Sequence, residues 1–114
     1  MSRLSSPVQV PSGRQVQLHK AVQRYLNALP ADASAKSVES FKVLMDVGLT
    51  REFKQLRHLQ GDLWELKVDA KSVKFMRFLF VARNGEFLFT HAFRKQTNQT
   101  PRREIDLALR RANE

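Results

Sequence analysis

Five charged residues in the second half of the chain have side chains that could act together on a phosphodiester. They are one carboxylate and four cations: Glu65, Lys67, Arg77, Arg94 and Lys95. An arginine can bind a phosphate with two hydrogen bonds and can stabilise the charge that develops on its oxygens when a 2′-hydroxyl attacks in line. Neighbouring cations can lower the pKa of a lysine, and a nearby carboxylate could act as a base. These residue types leave three interpretations open: cleavage of a phosphodiester, binding of a phosphate without chemistry, or a charged face that is only solvated.

The elements that would carry these residues are one strand and a β-hairpin. Residues 63–69 alternate between apolar and charged side chains, which is typical of a strand buried on one face. Residues 73–83 and 86–93 are predicted as two further strands, because Asn84-Gly85 between them is the pair that a two-residue type I′ turn favours.

The two-residue turn also predicts the register of the hairpin. With Arg83 opposite Glu86, the pairs further along are Arg77 with Ala92, Phe78 with His91 and Phe75 with Arg94. The face expected under helices contains Met76, Phe78, Phe80, Phe87, Phe89, His91 and Phe93. The open face contains Phe75, Arg77, Leu79, Val81, Leu88, Thr90, Ala92 and Arg94, and Glu65 and Lys67 join it from the preceding strand. His91 is accordingly expected to be a structural, hydrogen-bonded histidine among phenyl rings.

Helices are predicted on both sides of the strands in the sequence. Apolar residues recur at helical spacing from position 16 until Pro30, and Asp32 or Ser34 would cap a second helix that ends at Gly48. A last helix would start with Thr100 as its N-cap and Pro101 as its first residue. Its apolar stripe is Ile105, Ala108, Leu109 and Ala112, and its arginines are expected to stay exposed: Arg102, Arg103, Arg110 and Arg111.

The predicted fold class is α+β, with two N-terminal helices packed on a small antiparallel sheet and a C-terminal helix, in the order βααβββα. Residues 16–114 would form one domain, and residues 1–15 an N-terminal arm or a short edge strand at Val8–Val10. Residues 50–62 are expected to be a basic connector.

The charge balance points to an anionic partner. Twenty Lys and Arg against eleven Asp and Glu give a formal net charge of +9 over 114 residues, which favours RNA, DNA, the ribosome or an acidic protein. The chain contains no cysteine, its three histidines lack metal-ligand spacing, and no apolar run approaches the length of a membrane span. We expect a cytoplasmic protein without a metal site.

Several segments of the second half resemble the RelE/ParE superfamily of toxins, most closely its HigB-like, phage-derived branch. They are 59–67, 77–80, 91–97, Thr100-Pro101, Glu104-Ile105 and Ala108. The first matches the branch's pattern of a hydrophobic residue, Gly, any residue, Leu, an aromatic, Glu, Leu and a basic residue. The resemblance covers about residues 17–112 and is most specific from 59 to 109.

The resemblance implies the toxin of a type II toxin–antitoxin pair, acting as a ribosome-dependent mRNA endonuclease. Such an enzyme cuts mRNA in the ribosomal A site and leaves a 2′,3′-cyclic phosphate, without a metal or another cofactor. The family's basic strand residue maps to Lys67, its central-strand arginine to Arg77 and its basic pair to Arg94 and Lys95. Contacts to RNA or the ribosome are predicted for Lys54, Arg57, His58, Arg102 and Arg103. The partners would be mRNA, the ribosome and a separate helix-turn-helix antitoxin with acidic segments.

The sequence also departs from the pattern of these relatives. Several place a tyrosine or histidine near the C-terminus, whereas here the only tyrosine is Tyr25 and no aromatic residue follows Phe93. Proton transfer would then fall to Lys67 or Glu65, or the chain is a weaker nuclease. Two other functions stay open: a ParE-like inhibitor of DNA gyrase, and a non-catalytic basic module that binds RNA or DNA through phosphates alone.

Overall fold

The computed structural model describes residues 14–114, which form three helices and a five-stranded mixed sheet. In chain order the elements are β1 Gln15–Leu18, α1 Lys20–Asn27, α2 Ala31–Val47, β2 Leu56–Gln60, β3 Leu63–Val68, β4 Met76–Arg83, β5 Glu86–Arg94 and α3 Arg102–Ala112. The sheet order is β1-β5-β4-β3-β2, with β1 parallel to β5 and the other neighbours antiparallel. The α+β class is confirmed, while the expected strand at Val8–Val10 lies outside the described residues.

Both edge strands of the sheet differ from the sequence prediction. Residues 16–18, expected to begin the first helix, instead pair with β5 together with Gln15, because the His19 side chain caps α1 and the helix starts only afterwards. Residues 56–60, expected within a connector, form β2 and turn back into β3 at Gly61, whose φ of 51° suits a glycine. The element order is therefore βααββββα, with one strand more than predicted.

The hairpin turn forms as predicted, but its register holds only as far as the middle of the strands. Asn84 and Gly85 have φ values of 53° and 77°, as a type I′ turn requires. Arg83 lies opposite Glu86, but the register then shifts by one residue, so that Leu79 lies opposite His91. Thr90 is thus the extra residue of a β-bulge.

The bulge reverses the predicted faces of the remainder of β5. The observed pairs are Phe78 with Ala92, Arg77 with Phe93 and Met76 with Arg94, so the three predicted pairs are wrong. The buried hydroxyl of Thr90 donates a hydrogen bond to the carbonyl oxygen of Ala108 in α3, at 2.8 Å. This bond to α3 accompanies the shift, which moves His91 and Phe93 to the α3 side of the sheet and Arg94 to the opposite side.

Two apolar clusters hold the helices on the two faces of the sheet. The larger cluster joins α1 and α2 to the phenyl rings of β4 and β5, and the smaller one joins α3 to the other face. The predicted stripe of α3 is confirmed, with Ala108 buried and Ile105, Leu109 and Ala112 packed around it. Arg111 is not exposed as predicted, because its guanidinium reaches across to β5 and donates to the carbonyl oxygen of Thr90 at 3.1 Å.

The predicted N-caps of the second and third helices are also wrong. The N-cap residues are Pro30 and Pro101, and neither helix has a side-chain cap. Asp32 instead accepts hydrogen bonds from the backbone and the hydroxyl of Ser72. Gly48 does end α2, with a φ of 73°. Thr100, the expected cap of α3, instead donates a hydrogen bond from its hydroxyl to the carboxylate of Glu65.

A fully buried phenyl ring of the larger cluster should contribute strongly to the stability of the domain. Phe89 has no exposed surface, and its ring centroid lies 4.6 and 4.7 Å from those of Phe41 and Phe80. We expect Phe89→Ala to lower the free energy of unfolding by about 3–5 kcal/mol, measured by urea denaturation. Phe75→Ala, the same change at a ring that is 54% exposed, should alter it by less than about 0.5 kcal/mol. Equal losses at the two sites would contradict the assignment of the core.

Candidate functional site

A cleft of about 540 Å³ opens at the end of the sheet away from the hairpin turn. It is lined by Arg57, Lys67, Phe75, Arg77, Arg94, Lys95, Gln96, Thr97 and Asn98. Five of these nine residues are cations and none is a carboxylate. A second cavity, of about 610 Å³, lies beside α2, but Glu39 and Asp69 balance most of its lysines. The uniform positive charge of the first cavity makes it the candidate site, here called the cationic cleft.

Antiparallel pairing places the central cations of the cationic cleft side by side. Lys67 on β3 lies directly opposite Arg77 on β4, and Arg57 on β2 lies opposite Glu65. The predicted common face of Glu65, Lys67 and Arg77 is confirmed. Like charges directly opposite each other destabilise a sheet, so this arrangement requires a counter-charge close by.

Glu65 supplies that counter-charge from beneath the cleft. Its side chain has no exposed surface, and its Oε1 lies 3.7 Å from Lys95 Nζ and 3.9 Å from Arg77 Nε. Thr100 Oγ1 donates a hydrogen bond to the other carboxylate oxygen at 2.5 Å. Within residues 14–114, Glu65 Oε1 and Arg77 Nε are buried without a hydrogen-bond partner. Glu65 is therefore buried beneath the cleft and is not among the residues that line it, in contrast to the open face predicted for it.

Lys95 is the cation whose protonation the site perturbs most clearly. Burial lowers the pKa of its ammonium from the usual 10.5, and the charges of Arg57, Arg77 and Lys67 lower it further, while Glu65 opposes them. The side chain is 5% exposed and lines the cationic cleft. A lysine whose pKa is lowered in this way exchanges a proton more readily near neutral pH. Lys95 thus combines a place in the lining of the cationic cleft with a pKa that its surroundings lower.

Arg94 reaches the cleft from the rim rather than from the predicted open face. The bulge at Thr90 puts Arg94 opposite Met76, on the side of α1 and α2. Its exposed side chain donates from Nε to the carbonyl oxygen of Lys74 at 3.2 Å and still lines the cleft. Its charge also acts on Tyr25 of α1, where burial raises the pKa of the phenol and Arg94 lowers it.

The residues predicted to contact RNA or the ribosome lie on different parts of the surface. Of the five, Arg57 lines the cationic cleft. Lys54 is exposed beside the second cavity, and His58 pairs with Trp64 on the opposite face, where its Nε2 lies 2.7 Å from the carbonyl oxygen of Gly61. Arg102, at the exposed start of α3, donates a hydrogen bond to Gln60 of β2 and forms an ion pair with Asp106. Arg103, also exposed, forms an ion pair with Glu104.

Two components of the cleft carry no functional assignment in the sequence prediction. The sequence prediction gives Phe75 a place on the open face without a role, and it includes Gln96 and Thr97 only in the segment 91–97 that carries the family resemblance. The structure puts both the exposed ring of Phe75 and the polar residues 96–98 in the lining of the cleft with the cations. The signal for the loop was its composition, since Gln96, Thr97 and Asn98 follow a basic pair directly.

His91 is buried and hydrogen-bonded as predicted, but on the α3 side rather than among the phenyl rings. Its Nε2 lies 2.6 Å from Glu104 Oε1, and its Nδ1 lies 3.1 Å from Arg111 Nη1. A guanidinium can only donate, so Nδ1 accepts and the proton of the neutral ring sits on Nε2. Burial lowers the pKa of His91 below 6.5, with Arg111 acting in the same direction and Glu104 against it.

The lowered pKa of His91 predicts a loss of stability on acidification. Because the folded state binds this proton less readily than the unfolded state, stability should fall as the pH drops from about 6.5 through the folded pKa. We expect the melting temperature of the native chain to fall more between pH 7 and pH 5 than that of His91→Gln. Parallel curves for the two proteins would show that His91 does not contribute to the pH dependence.

Within residues 14–114, no cluster of His, Asp and Glu is arranged to hold a metal ion, and no helix has the length and apolar content to cross a membrane. The small α+β domain with its cationic cleft is of the RelE/ParE-type, toxin-like class. More narrowly, the chain belongs to the family of phage-derived Gp49-like proteins (DUF891), whose sequence pattern matches residues 24–113. Members of this family are commonly toxins of toxin–antitoxin systems. A comparison with curated proteins finds no match.

Proposed function

We propose that the chain is the toxin of a type II toxin–antitoxin pair of the HigB-like branch and that it cuts mRNA on the ribosome. The observation that carries this proposal is the cationic cleft, in which five cations and no carboxylate line the surface while one buried carboxylate lies beneath. A phosphodiester is the ligand that such a surface suits, since arginine and lysine bind phosphate oxygens with charge-assisted hydrogen bonds. The family membership supplies the biological setting.

The proposed reaction is attack of a 2′-hydroxyl on the adjacent phosphorus, with loss of the hydroxyl proton to water, departure of the 5′-oxygen and a 2′,3′-cyclic phosphate as product. Arg77, whose side chain lines the cleft, binds the phosphate and stabilises its transition-state charge. Lys67, directly opposite on β3, adds a second positive charge. Lys95, whose ammonium has a lowered pKa, protonates the leaving 5′-oxygen.

The proposed partner is a separate antitoxin that neutralises the same surface. A net charge of +9 makes an acidic segment the natural complement of this protein. A helix-turn-helix antitoxin whose acidic residues cover Arg57, Lys67 and Arg77 would exclude mRNA from the cleft. The ribosome and mRNA are the proposed targets of the free toxin in the cytoplasm.

Mapping new RNA 5′ ends after brief induction in a bacterium tests the nuclease directly. We expect cuts confined to translated reading frames, and a loss of at least about 100-fold in cleavage for Arg77→Ala, the cost of one transition-state donor. Arg24→Ala removes the same charge from exposed surface on α1 and should leave cleavage intact. Growth arrest without new ends would refute the nuclease in favour of gyrase inhibition, and neither arrest nor ends would leave a phosphate-binding module.

The role of Lys95 can be separated from its charge by an arginine substitution. Lys95→Arg keeps the positive charge but holds its proton, so we expect single-turnover cleavage on programmed ribosomes to fall by about 100-fold or more. The native enzyme should also lose activity as the pH rises through the lowered pKa of Lys95, and this alkaline limb should disappear in Lys95→Arg. Lys67→Arg, which keeps a charge at a site proposed to act only by charge, should retain most activity. Activity retained in both variants would assign Lys95 to charge alone.

A further inference from the structure

Phe75 is an exposed aromatic ring inside an otherwise polar and cationic cleft. The side chain is 54% exposed, which exceeds the exposure of every other large apolar residue that the structure describes as exposed. It is the one aromatic residue among the nine that line the cationic cleft. Leaving a phenyl ring in water forgoes the free energy of burial, so its position here calls for a physical explanation.

The backbone at Phe75 adopts a conformation that a bulky residue rarely takes. Its φ is +63°. Within residues 14–114, the only other non-glycine residue with a positive φ is Asn84, in the hairpin turn. Such a conformation is strained for a residue with a large side chain and persists only where surrounding contacts enforce it.

Two hydrogen bonds enforce this conformation. The Phe75 N–H donates to Asp69 Oδ1 at 2.6 Å, and the Phe75 carbonyl oxygen accepts from the N–H of Lys95 at 2.8 Å. The second bond links the ring's backbone directly to the residue that lies over the buried Glu65. The exposed ring is thus held in a fixed place relative to the cations of the cleft.

We propose that the Phe75 ring is a stacking platform for one base of a single-stranded RNA whose phosphates are bound by the cations of the cleft. Proteins that bind single strands combine cationic grooves with aromatic rings on which bases stack, and every base offers a π face to such a ring. Duplex RNA would present only its phosphates and sugars here, because its bases are already stacked. The inference rests on the proposed function and adds to it a binding residue and a single-stranded substrate.

A docking site for an antitoxin helix would have a different appearance. Such a helix lays several apolar side chains at spacings of three and four residues into an apolar groove. Around Phe75 the cleft is lined by cations and by the polar loop 96–98, with no second large apolar residue. The other exposed large apolar residues lie on α2 or just after it: Val38, Val43, Val47 and Leu49. An isolated ring among cations fits a nucleobase rather than a helix.

The test compares two RNA oligonucleotides that differ only in bases. One is a short single-stranded RNA, and the other has the same length and the same number of phosphates but abasic sites in its central positions. At low salt the native protein should bind the first about 5- to 150-fold more tightly, the range expected for one base–aromatic stack. Phe75→Asn should abolish this preference and bind both RNAs as the native protein binds the abasic one.

Asparagine is the informative replacement because it tolerates positive φ better than other residues with a side chain. Phe75→Asn should therefore melt at the native temperature or above it, which excludes unfolding as the cause of weaker binding. Phe75→Trp, with a larger ring, should keep the preference for the RNA that contains bases. In a Trp64→Phe background it would be the sole tryptophan of the chain, and its fluorescence should be quenched by RNA with bases and not by the abasic RNA.

These experiments test the stacking role of Phe75 separately from the proposed nuclease activity. Equal binding of the two RNAs by the native protein, no binding of either, or an unchanged preference in Phe75→Asn would overturn the stacking role. So would a Phe75→Asn variant that binds RNA normally but no longer binds an acidic antitoxin. If cells show new RNA ends and Phe75→Asn cuts as fast as the native chain, the nuclease stands and the platform fails. If no ends appear but the preference depends on Phe75, the platform stands and the nuclease fails.

Discussion

The site depends on one buried carboxylate that holds together cations which would otherwise repel one another. Lys67 and Arg77 face each other across two strands, and Lys95 lies over the same spot. Burying a carboxylate costs several kcal/mol, but each unit charge at about 4 Å returns roughly 4 kcal/mol at an effective dielectric constant near 20. Two cations at 3.7 and 3.9 Å therefore offset the desolvation of Glu65. Glu65 thereby stabilises Arg77 at its place in the lining of the cationic cleft.

A single extra residue in β5 decides which side chains reach this carboxylate. Had the hairpin kept its register beyond Phe89, Phe93 would lie under α1 and α2. The bulge at Thr90 turns Phe93 and His91 towards α3, where His91 joins Glu104 and Arg111. It also brings Lys95 to the face of Arg77 and moves Arg94 to the rim. The bulge therefore sets both the composition of the cleft and the attachment of the helix beside it.

The sequence predicts those features of the site that depend on neighbouring residues, and it does not predict those that depend on contacts between distant residues. The alternation in residues 63–68 and the Asn84-Gly85 turn are local signals, so the pairing of the Lys67 strand with the Arg77 strand could be predicted. β1 alternates over only four residues, which is too short to distinguish from the start of a helix, and β2 has little alternation. The bulge has no sequence signature, since it accompanies a contact between Thr90 and a helix eighteen residues away. The burial of Glu65 similarly requires Thr100, which the sequence places 35 residues further on.

The competition for the Thr100 hydroxyl explains how the loop of the cleft is fixed. As an N-cap of α3 this hydroxyl would contribute about 1 kcal/mol. As a donor to the buried carboxylate it contributes about 1.5–3 kcal/mol, because a hydrogen bond to a charged group is the stronger one. The structure shows the second arrangement, with α3 beginning at Arg102 without a side-chain cap. Residues 96–98, which line one side of the cleft, are thereby held between Lys95 and Thr100, both of which contact Glu65. The carboxylate thus positions the polar side of the cleft as well as its cations.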